Sequence, residues 1–222
     1  MSAAAFLLAD GRFPAGGHAH SGGLEAAVTA GTVHDLATLG LFLRGRLRTA
    51  GLVAAALAAA ACEQAGPSWT ELDAEADART PSPAQRDASR RQGRALLRAA
   101  RTAWPRASQL HELAKLHELA DGGQPPHHAI ALGVTAAAAG CTAEEAARIA
   151  AYQSVTGPAS AAVRLLSLDP LQVSGLLAGL ATEIDNVAAQ ASSAPELPCA
   201  SAPVLDLLAE THARAEVRLF AS

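Results

Sequence analysis

Residues 49–62 read TAGLVAAALAAAAC, and residues 129–143 read AIALGVTAAAAGCTA. Neither run contains a charged side chain. Alanine is the commonest residue in both; it favours helix and lets helix axes approach closely. Crossing a bilayer requires about 20 strongly apolar residues, and both runs are too short and too rich in alanine for that. We therefore predict that each run forms a buried core helix.

The segments around these runs carry helix signals. Asp35 precedes leucines spaced three and four residues apart, and Thr142 with Glu145 forms a capping box that starts a helix at Ala143. Arginines recur at three- and four-residue intervals over residues 83–104, which predicts a helix with a basic exposed face. We expect Gly157 and Pro158 to kink or interrupt the helix that begins at Ala143, and we expect a further helix over residues 170–191.

The 222 residues therefore predict an all-α fold, with residues 1–222 forming a single compact domain of about eight to ten helices. No alternating strand pattern and no fixed repeat interrupts the helical segments. The N-terminal segment, residues 1–23, ends in a glycine-rich loop. Residues 192–222 form a serine- and proline-rich linker followed by an amphipathic, mobile C-terminal tail.

The composition limits the classes of function. Half of the residues are hydrophobic but only 3% are aromatic, and the formal net charge of -4 gives no electrostatic footprint for nucleic acid or for an anionic membrane. The N-terminus has no basic segment and reaches Asp10 too early for a signal peptide. The cysteines, Cys62, Cys141 and Cys199, are odd in number and far apart, which is typical of small buried residues in a reducing cytosol. We predict a cytoplasmic protein.

Motifs for catalysis and metal binding fail on spacing. A zincin helix needs histidines four residues apart, but Lys115 follows His111 at that interval and Asp121 follows His117. The chain also has no phosphate-binding loop of the Walker type and no nucleophile elbow. Four other histidines have no diagnostic interval for a metal; they are His18, His20, His127 and His128. We predict no catalytic residue and no metal-ligand residue.

Two alternatives remain open at this point. A nickel-storing or nickel-transferring protein would explain the eight histidines. A hydrolase or a ligand-binding regulator would need a deep apolar pocket with converging acids and histidine, which a sequence does not reveal.

The glycine-rich loop, residues 14–25, reads PAGGHAHSGGLE and resembles the signature of the UreF family of urease accessory proteins. Further stretches resemble the same family in the same order: residues 91–97 (RQGRALL), residues 128–140, the glutamates after Thr142, and residues 160–165 (SAAVRL). The C-terminus resembles the family's closing pattern through Asp206, His212 and residues 218–222 (RLFAS). The loop departs from the family pattern at His18 and Ala19, and the chain departs from it again at Asp169 and Pro170.

The resemblance implies a non-catalytic homodimer that binds the accessory protein UreD, called UreH in some systems, and recruits the nickel-carrying GTPase UreG to apo-urease. GTP hydrolysis would then be coupled to nickel delivery. No cofactor would be bound tightly, and nickel would pass transiently. The resemblance leaves open whether the chain stimulates or restrains UreG.

The resemblance also suggests partner-binding residues. The hypothetical UreG contacts are Gly16, His20, Ser21, Glu25 and Arg164. The hypothetical UreD contacts are Asp206, His212, Arg218, Leu219, Phe220 and Ser222. Two of these residues have a structural alternative: an internal salt bridge is an equal alternative for Arg164, and for Glu25 an interaction with the helix dipole is favoured slightly over a partner contact.

Overall fold

The computed structural model describes residues 2–66, 68–119 and 123–221, and over these ranges it contains helices and turns without a strand. The prediction of an all-α fold is confirmed. The helices are α1 Ala3–Ala9, α2 Leu24–Thr29, α3 Leu36–Arg46, α4 Leu52–Glu63, α5 Ser68–Ala78, α6 Pro83–Ala103, α7 Ser108–Leu119, α8 His128–Ala138, α9 Ala143–Leu165, α10 Pro170–Gly179, α11 Ala181–Ser193 and α12 Pro203–Ala213. A π-helical turn, Leu47–Gly51, joins α3 to α4 without a break. If α3 and α4 are counted as one helix, the described residues form 11 helices.

The predicted helix starts are confirmed in atomic detail. The side chain of Asp35 accepts a hydrogen bond from the backbone N–H of Thr38, and Thr142 and Glu145 form the reciprocal capping box that starts α9. Ser82 caps α6, which has Pro83 at its first position. These polar side chains satisfy backbone donors that have no partner within the helix, and they fix where each helix begins.

The two alanine-rich runs form α4 and α8, which pack against each other in the centre of the molecule. One face of α4 contributes Leu52 and Ala55 to the larger hydrophobic cluster, and the other face contributes Val53 and Leu57 to the smaller one. The continuous stretch from α3 to α4, Leu36–Glu63, is long and apolar enough to cross a membrane by composition alone. However, 56% of its apolar window is buried inside the protein, as expected of a core helix.

Close approach of α4 and α8 depends on Gly133. A Cβ atom at this position would lie 2.3 Å from the carbonyl oxygen of Ala58 and 2.7 Å from the Cβ of Ala61. Any side chain at residue 133 would therefore push the two central helices apart.

The predicted interruption at Gly157 and Pro158 is wrong, because α9 continues through both residues to Leu165. Proline has no N–H to donate, so the carbonyl of Ser154, four residues earlier, loses its helical partner. The Nε–H of Arg46 donates to this oxygen at 3.0 Å. A side chain from a different helix thus supplies the hydrogen bond that Pro158 removes, and the helix remains continuous.

The single helix expected over residues 170–191 is instead two helices, α10 and α11, which meet at Leu180. The side chain of Leu180 is fully buried, and Gly179 before it has the weakest helix propensity after proline. Burial of this leucine accompanies the turn between the two helices.

Candidate partner-binding surface

The glycine-rich loop is held in a defined conformation. Gly16, Gly22 and Gly23 all have positive φ angles, which glycine adopts without steric cost. A Cβ atom at Gly22 would lie 3.0 Å from Cγ of Pro158 and 3.2 Å from the guanidinium carbon of Arg46. The loop therefore packs directly against Pro158 and against the Arg46 side chain that donates to the Ser154 carbonyl of α9.

Glu25 connects this loop to the C-terminal tail. Glu25 is 8% exposed, and its carboxylate accepts hydrogen bonds from the backbone N–H groups of Leu219, at 2.8 Å, and Phe220, at 2.9 Å. The Nε2 atom of His212 lies 3.6 Å from the same carboxylate. At the start of α2, the backbone N–H of Glu25 donates to the Oγ of Ser21 at 3.2 Å. A buried carboxylate is costly without partners, so these contacts stabilise the tail where it lies.

Arg164 makes a second connection between the loop and the tail. Its guanidinium carbon lies 4.4 Å from the centroid of the Phe220 ring, a cation–π contact, and its Nη2 donates to the carbonyl of His18 at 3.2 Å. The backbone N–H of Ala221 donates to the carbonyl of Ala19 at 2.7 Å. Among the described residues, Arg164 forms no ion pair, so its structural contacts are with the ring and a carbonyl.

Helix α12 is anchored through Glu210. The carboxylate of Glu210 accepts hydrogen bonds from the Ser82 hydroxyl, at 2.5 Å, and from the backbone N–H of Ala84, at 2.9 Å. Both donors lie at the start of α6, where a negative charge also interacts favourably with the helix dipole. On the same helix, burial raises the pKa of Asp206, and the neighbouring Glu210 charge adds to that effect.

The structure therefore brings most of the predicted partner contacts into one region. We refer to the loop at residues 14–25, Arg164 and the tail at residues 203–221 as the loop–tail surface. Arg218 and Leu219 are exposed on it, whereas Phe220 is buried. Ser222 lies outside the described residues. The two predicted sets of contacts adjoin each other instead of occupying separate parts of the chain.

The sequence prediction did not include two residues that hold the loop–tail surface in place. Glu210 anchors α12 to α6, and Arg46 lies under the glycine-rich loop. A proline within a helix does indicate that a carbonyl has lost its partner, but nothing in the sequence identifies Arg46 as the donor. Burial lowers the pKa of Arg46 to about 10, so its guanidinium still carries a charge at neutral pH. The position of Glu210 beside Ser82 depends on tertiary packing across more than 100 residues.

The histidines considered as metal ligands have different surroundings. Burial lowers the pKa of His20 to about 4, with further contributions from Arg91 and His18. Burial likewise lowers the pKa of His128 to about 4, and the adjacent His20 contributes. Both imidazoles are therefore neutral at pH 7.

His127 points into a different cluster, in which Asp73, Asp77 and His127 hold ligand-type atoms within 4.8 Å of one another. Arg90 already occupies this cluster, donating to Asp73 at 2.8 Å and to Asp77 at 2.6 Å. His127 contacts Asp77 at 2.9 Å and Ser89 at 3.0 Å. A metal ion here would have to compete with the guanidinium, and the contacts that are present join α5, α6 and α8.

Comparison with known proteins identifies the family of this chain. The family model for UreF matches residues 33–181. The urease accessory protein UreF of Mycobacterium sp. (strain JLS) is 48% identical over 216 residues, and that of Mycolicibacterium vanbaalenii is 47% identical over 219 residues. The protein of the same name from Mycobacterium tuberculosis (strain H37Rv) is 43% identical over 215 residues. Each alignment covers 97% of this chain and 96% of the relative. The chain belongs to the UreF family of urease accessory proteins.

Proposed function

We propose that this chain is a non-catalytic scaffold, acting in the cytoplasm, that helps to assemble the nickel centre of urease. In this proposal it binds UreD, recruits the GTPase UreG, and presents both to apo-urease, so that GTP hydrolysis is coupled to nickel delivery. Nickel is the cargo of the assembly and passes transiently. The membership of the UreF family supports this role, and the loop–tail surface supplies the physical basis for it.

The observation that carries the proposal is the pair of hydrogen bonds from the tail backbone to Glu25. They fix the tail while leaving large apolar side chains in solvent. Val217 is 87% exposed and Leu219 is 74% exposed, and on α12 Val204 and Leu207 are 65% and 70% exposed. Exposed apolar side chains that are grouped on one surface are typical of a protein interface.

We assign UreD to the tail side of this surface. The exposed apolar residues lie there, together with Arg218, and the buried Phe220, whose N–H donates to Glu25, holds the neighbouring Leu219 in place. A tail that is already fixed loses less conformational entropy when a partner binds, which favours affinity.

We assign UreG to the loop side, around Gly16 and His20, with Arg164 at the boundary, while the buried Ser21 and Glu25 hold the loop from within. A guanidinium gives directional contacts to carboxylates and phosphates, and Arg164 keeps part of its surface exposed while it contacts Phe220. Because Glu25 and Arg164 contact both the loop and the tail, a partner bound to the tail would stabilise the loop for the second partner. A homodimer, implied by the resemblance to the family, would present two such surfaces.

Size-exclusion chromatography with light scattering tests the proposal. The full chain is mixed with its cognate UreD, and UreG is then added with GTP and nickel. We expect stepwise formation of both larger complexes. A variant that lacks residues 204–222 should fail to bind UreD, whereas Glu63→Gln, a substitution of an exposed glutamate on α4, should bind normally. Retention of UreD by the truncated chain would remove the assignment of UreD to the tail.

A further inference from the structure

A cleft of about 210 Å³ lies between α6 and α7, and none of its lining residues belongs to the loop–tail surface. Three arginines of α6 line it, Arg94, Arg98 and Arg101, and α7 contributes His117 and Glu118. The arginines are spaced by four and three residues, which places them on one face of the helix over about 10 Å.

These three arginines differ from Arg86 and Arg90 of the same helix. Arg86 and Arg90 are paired with acidic residues of α5. In contrast, within residues 2–66, 68–119 and 123–221, none of the three cleft arginines forms an ion pair or a side-chain hydrogen bond. The described part of the cleft carries three guanidinium groups against one carboxylate, that of Glu118, so the charge of this part is positive.

His117 provides a second, independent observation. Its side chain is buried, with 7% of the residue exposed, and its Nδ1 atom lies 3.0 Å from the carbonyl oxygen of Gln124. A carbonyl can only accept, so Nδ1 carries a hydrogen atom. The Nε2 atom is buried and has no hydrogen-bond partner among the described residues. A buried polar atom without a partner is costly, and His117 is one of the residues that line the cleft, so a ligand bound there is the candidate partner.

We propose that this cleft binds a small, multiply charged oxyanion, carried by a phosphate or by a polycarboxylate. The guanidinium groups of Arg94, Arg98 and Arg101 would hold its oxygens through charge-assisted hydrogen bonds, which planar guanidinium groups form in pairs. Protonated His117 would donate from Nε2 to one further oxygen. This proposal does not depend on the assignment of UreD and UreG to the loop–tail surface.

A metal ion is the main chemical alternative, because a neutral His117 would offer the Nε2 lone pair while Nδ1–H is fixed by a carbonyl, as in many metal sites. Three guanidinium groups at the same cleft oppose a cation by direct repulsion. The positive charge of the three arginines therefore favours an anion over a metal ion at this cleft.

Proton uptake should accompany binding. Burial lowers the pKa of His117, Arg90 lowers it further, and Asp73 and the Gln124 carbonyl act in the opposite direction. The other charged groups that line the cleft with His117 are the three arginines of α6 and Glu118 of its own helix. An anion beside the ring favours the charged imidazole. Affinity for an anion of fixed charge should therefore increase as the pH is lowered.

Isothermal titration calorimetry of the full chain with inorganic phosphate tests the proposal at constant ionic strength. We expect binding that Arg98→Ala weakens about tenfold. Arg106→Ala removes the same charge from an exposed position outside the cleft and should change the affinity less than twofold. Equal weakening by the two substitutions would indicate nonspecific attraction to a basic surface and would overturn the site.

His117→Asn separates the role of Nε2 from a structural role, since asparagine can keep the hydrogen bond to Gln124 while it removes Nε2. We expect the ratio of the parent's phosphate affinity to that of this variant to be larger at pH 6 than at pH 8, a comparison in which the ionisation of phosphate itself affects both proteins alike. A parallel titration with citrate distinguishes the two classes of oxyanion, because the tighter ligand identifies the class. Absence of measurable binding of both phosphate and citrate would overturn the proposal.

Discussion

The carboxylate of Glu25 lies 2.9 Å from the backbone nitrogen of Phe220, although 195 residues separate them in the sequence. This hydrogen bond and its neighbour from Leu219 close the C-terminal tail onto the start of α2. As a result, the two ends of the chain form one surface with Arg164 between them. A change in the position of the tail would therefore be transmitted to the glycine-rich loop.

Substitution of Glu25 by glutamine should loosen the tail. Glutamine keeps one acceptor oxygen but replaces the other with an NH₂ group, which faces a backbone N–H. We expect the free energy of unfolding to fall by about 1–2 kcal/mol. The amides of Leu219 and Phe220 should exchange with solvent faster, as measured by hydrogen–deuterium exchange. Glu63→Gln is the matched control, and unchanged protection of the Phe220 amide in Glu25→Gln would contradict the role of Glu25.

Arg46 and Pro158 should be energetically coupled. Arg46→Met leaves the Ser154 carbonyl without a donor, which we expect to lower the free energy of unfolding by about 1–3 kcal/mol. In a Pro158→Ala background the alanine N–H can donate to the Ser154 carbonyl. Arg46→Met should therefore lower the free energy of unfolding by less in that background than in the parent.

A double-mutant cycle in urea measures this coupling, which we expect to be on the order of 1 kcal/mol. Arg48→Met, two residues further along the chain, removes an exposed arginine and should cost less than about 1 kcal/mol. If the changes in unfolding free energy caused by Arg46→Met and Pro158→Ala are strictly additive, Arg46 does not replace the hydrogen bond that Pro158 removes from α9.

Two glycine-to-alanine substitutions should have opposite signs. Gly133→Ala introduces a Cβ atom that overlaps α4, and overpacking of this kind costs about 1–3 kcal/mol or more. Gly157→Ala lies within α9, where a Cβ atom meets nothing within 4 Å. The higher helix propensity of alanine should stabilise that variant by up to about 1 kcal/mol. Thermal unfolding of both variants checks the prediction, which fails if Gly133→Ala is as stable as the parent.

Acid should destabilise the fold through His20 and His128. Their pKa values are about 4 in the folded protein, against about 6.5 for an exposed histidine. Between these values the unfolded chain binds more protons than the folded chain, so stability is lost as the pH falls from about 6.5 towards 4. We expect a loss of roughly 2 kcal/mol or more at pH 4.5.

Urea titrations between pH 7 and pH 4.5 measure this loss. His128→Gln removes one of the two groups and should flatten the dependence of stability on pH. His111→Gln, an exposed histidine on α7, should leave that dependence unchanged. A similar pH dependence in His128→Gln and in the parent would show that His128 is not responsible.

Local signals were sufficient for much of the fold. The capping residues Asp35 and Thr142 and the alanine-rich runs predicted helix starts and core helices that the structure confirms, because each signal acts over a few residues. The continuity of α9 was not predictable in this way. Pro158 is a local signal for interruption, and the group that overrides it, Arg46, is more than 100 residues away in the sequence.

The same distinction applies to the candidate site. The ordered resemblance to the UreF family predicted membership correctly, and the family match and the relatives confirm it. Membership did not indicate that Glu25 contacts Leu219 and Phe220, or that Glu210 caps α6. These contacts depend on how the tail packs across the body, which no short pattern of residues encodes.

The most direct test of the proposed coupling between loop and tail is the affinity of UreG for a preformed complex of this chain with UreD. The measurement uses GTP and nickel and compares the parent with Glu25→Gln and with Glu63→Gln. We predict that Glu25→Gln weakens UreG binding at least tenfold while Glu63→Gln binds like the parent. Equal UreG affinity for all three complexes would contradict the claim that the tail positions the loop through Glu25.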